Sequence, residues 1–481
     1  MSFSKRLAVA SAAVLAAAAG ADAAAESAGE TAMKIFPFPV HDQVLDNGLK
    51  VVVVPYDSPG IVAYFTVVRT GSRQEVEPGH SGFAHFFEHM MFRGTERFSQ
   101  EAYNDVLRGM GADSNAFTSD DFTGYYIVGP AAELETMIDL ESDRFKNLAY
   151  GEDGFRTEAL AVLGEYNKNA SSPFLPMFER LRELAFERHT YRHTTLGFLE
   201  DVEAMPGYYD YSLSFFDRFY RPENSIVLVV GDAAPERTLA LAKKYYGDWE
   251  KGFKPVTIAA DPEPKEGKTA HIEWPNPTRP QLMMGYRVPA FDAASVDTAA
   301  LDLIDQLLFS EAAPLYQELV VDKQWTDQLG GSASAHRDPY LFTITARVKS
   351  EDLVPKVQET IARHIGELQA RPVDAARLER IKSHLRYDFA LGLDSANSVA
   401  FNAAQALQLT GEIEPLNTLY ATYETIGPQD VQRVAKAYLQ PQRLTVVTLA
   451  HKAPKVEEEK PGENQAAGEA NEESTGREAG R

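Results

Sequence analysis

The stretch SGFAHFFEHMMFRGT, residues Ser81 to Thr95, decides how the rest of the chain is read. It places His85, Glu88 and His89 within five positions. If the run is helical, residues four apart project from one face, so His85 and His89 can grip one ion. Two neutral imidazoles at that spacing suit zinc. Glu88, one turn on from His85, stands where a carboxylate can take a proton from a water activated by the ion. Ala84, Phe86, Phe87, Met90, Met91 and Phe92 leave no polar face on this helix, which implies burial. Buried ionisable groups are costly unless paired or metal-bound, so three of them in one apolar turn need a common partner. The competing reading is a chance triplet of surface or hydrogen-bonded residues.

A catalytic zinc site has three protein ligands and an open fourth position. The chain has no cysteine, so the third ligand must be a His, Asp or Glu from elsewhere. The run Phe155 to Glu165 reads as a helix that carries Glu158 and Glu165 seven residues apart, two turns along one line. Both border the apolar stripe of Phe155, Ala159, Val162 and Tyr166. Spacing alone leaves two readings open: carboxylates that reach inward, or a solvated pair on an exposed face.

Composition narrows the function classes. A length of 481 residues and 44% hydrophobic content suit two to four domains with substantial cores. A formal net charge of −23 argues against nucleic acid and anionic membrane surfaces as partners. The absence of cysteine excludes thiol nucleophiles, thiolate ligands, disulfides and a lipoprotein anchor. Lys5 and Arg6, the apolar run Leu7 to Gly20 and the small-residue triplet Ala21-Asp22-Ala23 read as a secretory signal, residues 1–23, with a buried N-terminal helix as the alternative. No later segment is long and apolar enough to span a bilayer. Export in a bacterium with two membranes puts the mature protein in the periplasm.

Strand and helix signals alternate in two blocks. The first, 24–250, holds a turn at Asp46-Asn47-Gly48, strands near 49–54, 61–68, 114–118, 122–128 and 226–230, and helices near 131–147, 154–169, 178–188, 208–219 and 235–246. A Pro/Lys/Glu/Gly-rich linker spans 251–268. The second block, 269–450, holds strands near 270–274, 282–288, 330–335 and 341–348 and helices near 296–309, 312–321, 351–369 and 375–391. Each block closes alike, with a helix end, a proline and a buried strand: Phe219 to Val230 and Ala437 to Val447. The fold expected is α+β, with two homologous α/β-sandwich units, each a mixed or antiparallel sheet packed with helices. The tail, 451–481, is polar and expected to be disordered.

The order H-x-x-E-H is the inverzincin signature, and with its Gly-Thr ending the helix resembles the pitrilysin family of zinc peptidases. That family includes insulin-degrading enzyme and, closer to this two-domain layout, the mitochondrial processing peptidase. The resemblance runs over about residues 40–450, through Asn115 to Thr118, Tyr125, Leu140 to Arg144 and Phe219 to Asn224, and more weakly through Leu315-Tyr316 and Asp338 to Phe342. It implies a zinc metalloendopeptidase with one zinc ion per chain. Glu165, 76 positions after His89, falls where the family's third ligand stands, and Glu158 where a second glutamate supports the catalytic site. By resemblance, the strand containing Asn115, Ala116 and Phe117 pairs with the peptide substrate, although Asn115 also reads as a turn residue. The family's second half supplies an Arg and a Tyr, but here Val320 and Asp327 stand in those places. Either the alignment slips there, or a homologous partner chain supplies the pair, which makes this the zinc-bearing subunit of a heterodimer. A non-catalytic binding or assembly subunit is the alternative. His189 and His193 imitate a metal pair but have no accompanying glutamate.

Overall fold

Four consecutive valines, Val51 to Val54, are stiff at χ1 and favour a strand. In the computed structural model, which describes residues 34–451, they form the middle of β2 (Lys50–Pro55). The expected signal segment and the acidic tail after His451 lie outside the described residues. β2 joins β1 (His41–Val44), β3 (Ile61–Val68), β4 (Asp113–Thr118), β5 (Thr123–Pro130) and β6 (Ser225–Gly231) in a sheet of order β1-β2-β6-β3-β5-β4. β7 (Lys268–Trp274), β8 (Gln281–Val288), β9 (Thr326–Ala333), β10 (Tyr340–Val348) and β11 (Leu444–His451) form a second sheet of order β7-β11-β8-β10-β9. The second order repeats the first without β1. In each unit the last strand lies parallel to the first strand of that repeat and antiparallel to the next. The α+β class and the two related units of the sequence reading hold.

Alternation along the strands sends side chains to opposite faces of a sheet. Val51, Val53, Tyr64, Val227 and Val229 enter one core, while Val52, Val54, Phe65, Leu228 and Val230 enter another. The first core is closed by helices of the same half: α1 (Phe83–Met90), α2 (Gln100–Met110), α3 (Leu134–Asn147), α4 (Glu152–Ala170) and the helices Tyr209–Phe219 and Pro235–Tyr246. The second is closed by a helix of the other half, Ala396–Thr410, through Val399, Ala400, Ala403 and Leu407. The exchange is reciprocal. α5 (Phe174–Ala185) leaves the first half and packs Met177, Leu181 and Ala185 on Met283, Leu341, Val447 and Leu449 of the second sheet. The linker is docked as well: Asp261 accepts from the amides of Glu187, Arg188 and His189 and pairs with Arg287 at 2.8 Å.

Some elements differ from expectation. The helix expected over 178–188 begins four residues earlier, at Phe174. The helix expected over 312–321 is one short turn, Pro314–Tyr316, followed by a π-helical segment, Gln317–Asp322. Helices at Ala396–Thr410 and Pro415–Thr425 are additional to those expected, and Pro428–Tyr438 is the helix whose end precedes the closing strand. The first of them buries mainly alanines, so its polar and apolar sides contrast weakly. Among the described residues, no helix is long and apolar enough to cross a membrane.

The exchanged helix carries a stability prediction. Leu407→Ala should cost about 2–5 kcal/mol in denaturant unfolding, the usual range for a buried Leu emptied to Ala. A fragment of residues 34–250 should bind hydrophobic dye and self-associate, because it leaves one face of the first sheet bare. A monomeric, dye-silent fragment would show that this face needs no cover.

Candidate metal centre

The helix α1 is only eight residues long, too short to hold itself in water, so its surroundings fix it. Phe83, Ala84, Phe86, Phe87 and Met90 are buried in the core. Its N-terminus is pinned by a buried carboxylate: Glu75 accepts from the amides of Gly82 at 2.8 Å and Ala84 at 2.7 Å. Ser81 donates to Asp201 at 2.6 Å. Gly82 has φ +91°, and a Cβ there would sit 2.8 Å from the Leu196 carbonyl oxygen, so the entry to the helix requires glycine. With the apolar side chains directed into the core, the remaining positions turn His85, Glu88 and His89 toward α4 and β4.

The structure brings His85, His89 and Glu165 together. One donor atom from each lies within 4.8 Å of the others. His85 Nε2 is 3.7 Å and His89 Nε2 is 3.3 Å from Glu165 Oε2. Ligands of one tetrahedral zinc, with bonds of about 2.0–2.1 Å, stand about 3.3 Å apart, so the donor set fits such an ion. Burial, then the neighbouring His89, push the His85 imidazole down to about 4, which keeps its nitrogens free of a second proton at neutral pH.

Glu158 does not join the donors. It is two turns before Glu165 on α4 and meets His89 Nδ1 at 2.8 Å. With the proton of that ring held on Nδ1, the lone pair of Nε2 faces Glu165. Arg93 donates to the other oxygen of Glu158 and holds it in turn. Glu88 accepts from the Thr118 hydroxyl at 2.7 Å. Burial raises the Glu88 carboxyl above the ordinary range, against the lowering by Thr118 and His89. A cavity of about 400 Å³ opens over these groups, lined by His85, Glu88, Ala116, Phe117 and Glu165 among others.

β4 is the edge strand beside this cavity. Asn115 is exposed, and its side-chain oxygen accepts from the Ala116 amide at 2.9 Å. Ala116 is buried. The Phe117 ring packs on Phe122 and on Phe401 of the exchanged helix, at centroid distances of 5.3 and 5.0 Å. Val320 lies in the π-helical segment, and Asp327 is bound between Arg279 and Arg347. His189 and His193 flank a 3-10 turn: His189 bonds Asp338 at 2.9 Å, and His193 Nδ1 bonds the Thr194 carbonyl at 3.0 Å. His336, in the loop before β10, is largely enclosed and meets Asp120 across the two halves. Glu75, Asp201 and Arg93 have no sequence mark of their roles, because each acts through a fold contact; Thr118 lies within the resembling stretch, but its contact with Glu88 is also decided by the fold.

Fold and donor group together define a two-unit α+β chain whose first unit carries a candidate metal centre on a buried H-x-x-E-H helix. Residues 51–198 match the insulinase family, peptidase family M16, and residues 209–385 match the peptidase M16 inactive domain. The chain belongs to this family, the pitrilysin family of the resemblance above. It is 29% identical to the zinc protease PqqE of Helicobacter pylori over 433 residues, covering 85% of this chain and 93% of that one. It is 23% identical to the mitochondrial-processing peptidase subunit beta of Mus musculus, covering 84% and 83%. The crystal structure of a protease from Helicobacter pylori superposes with a TM-score of 0.81 at 28% identity, covering 86% of this chain and 99% of that one.

Two measurements probe the centre. Glu158→Gln should weaken zinc binding about 10–100-fold in a chelator competition, the usual cost of losing a partner behind a metal-binding histidine; unchanged affinity would leave Glu158 without that role. Burial pushes the His193 imidazole, beside the pinning Glu75, down to about 4 from 6.5. The unfolded chain then binds more protons between those values. This stability is fully present above about pH 6.5 and is lost as pH falls toward 4. His193→Gln should flatten that slope in denaturant titrations, and an unchanged slope would assign it elsewhere.

Proposed function

We propose that this chain is a zinc-dependent endopeptidase that hydrolyses peptides or unfolded segments, with His85, His89 and Glu165 as ligands of one ion. The observation that carries the reading is the meeting of that three-donor group with Glu88 at a cavity beside a free sheet edge. A bound zinc supplies polarisation of the scissile carbonyl and acidification of the attacking water. Glu88 takes the proton of that water and delivers it to the leaving amine. Its burial raises its basicity toward neutral pH, as a general base requires. Glu158 keeps His89 in the ligating tautomer, and Thr118 aims Glu88. The edge of β4, from Asn115 to Phe117, offers backbone groups to an added substrate strand; Ala116 and Phe117 shape the wall beneath it. The segment 1–23 directs export to the periplasm.

Val320 and Asp327 favour a second element of the proposal, a homologous partner chain that contributes an Arg and a Tyr. Relatives named as subunits of a processing peptidase support paired assembly. The non-catalytic reading rests on the same two residues and on the match of the second half to an inactive domain. Glu88→Gln separates the readings: hydrolysis should fall by about 10²–10⁴-fold while stoichiometric zinc remains. Equal cleavage by the variant, or none by the zinc-loaded wild type with or without a homologous partner, removes the peptidase. Full activity of the chain alone removes the partner.

A further inference from the structure

A second, larger cavity of about 650 Å³ adjoins the one over the donor group, and Ser172 and Phe174 belong to the walls of both. Ser172 lies two residues past Ala170, the last residue of the helix that carries Glu165. The far wall of this second cavity belongs to the other half of the chain. There Asp327 bonds Arg347 Nε at 2.7 Å and also Arg279 Nη1. Asp327 is the one carboxylate among the lining residues, against two guanidiniums, so the wall carries one net positive charge in a chain of net −23. Each arginine has five N–H donors, so sharing one carboxylate leaves donors for another. The side chains of Arg279 and Arg347 are 53% and 37% exposed, open to the cavity rather than sealed beneath it. Met177 and Met283 give the same cavity an apolar floor for an aliphatic stem.

We infer that this wall is a subsite for a carboxylate on the bound peptide, held by Arg279 and Arg347 with Asp327 as their spacer. The inference rests on the peptidase reading for the path of the peptide. The carboxylate has two sources, a Glu or Asp side chain or the C-terminus of a short peptide. Asp327 stays ionised, because the hydrogen bond from Arg347 holds its carboxyl below the usual range. It therefore tunes the site: it aligns the two guanidiniums and competes with the ligand for them.

The test is binding rather than turnover. Zinc-loaded Glu88→Gln protein is titrated with short fluorescein-labelled peptides of neutral sequence, each carrying one Glu walked along the chain. Gln counterparts are run beside them, with the C-terminus free or amidated. A carboxylate at the right place should tighten binding by about tenfold, the order of a charge-assisted hydrogen bond. Arg279→Gln with Arg347→Gln should bring that ratio to about one. Asp327→Asn should raise the ratio. Preference for internal Glu identifies a side chain as the source, and preference for the free acid identifies the C-terminus. A ratio near one in the parent protein, a ratio untouched by the double substitution, or no binding of any peptide overturns the subsite. Failure of the zinc-loaded wild type to hydrolyse these peptides with or without a homologous partner would overturn the peptidase reading instead, since the binding ratio is measured without turnover.

Discussion

A sheet that is apolar on both faces must be covered twice, and in this protein the second cover comes from the opposite half of the chain. The valines of β2 and the unbroken apolar run of β6 cannot face water on either side. Helix Ala396–Thr410 closes the first sheet, and α5 closes the second. The two halves are thereby interlocked rather than merely tethered. The groove between them follows from the same exchange, because α5 and the end of α4 must cross from one unit to the other beside the metal donors. Charged contacts then fix the angle of approach: Arg73 reaches Asp338 at 2.5 Å, and Arg182 and His336 share Asp120.

Within that frame the donor helix has little freedom. Its apolar side chains are committed to the core, its first amides to Glu75, and its second histidine to Glu158. Each of these contacts restricts the groups of the candidate metal centre. The carboxylates involved are expensive to bury, and the structure offsets each with amides, an arginine, a hydroxyl or an imidazole. Thr118 belongs both to the edge strand and to the setting of Glu88, so strand position and base position are coupled.

The two units share an arrangement but not a chemistry. The second sheet repeats the strand order of the first, yet the helix that follows β8, Val296–Phe309, carries Asp302 and Asp305 and no histidine. Burial pushes these two carboxyls up to about 7 and about 6. Asp302 accepts from Tyr423 at 2.6 Å, an ordinary way to satisfy a buried acid. The second unit walls the cavity next to the donor group, and Arg279, Asp327 and Arg347 belong to that wall.

Much of this was legible in the sequence because it is local. The H-x-x-E-H spacing, the valine run, the Asn-Gly turn and the proline-led closing strands each depend on residues a few positions apart. The i,i+7 pair Glu158 and Glu165 was legible as a pair, but its direction was not, since one helix face can point to solvent or to an ion with the same sequence. Only the tertiary structure decided that Glu165 faces the two imidazoles while Glu158 holds one of them from behind. Only it decided that a weakly patterned, alanine-rich helix near residue 400 completes a core begun near residue 50. Periodicity tells which face of an element is buried; what lies against that face is settled by packing between segments far apart in the chain.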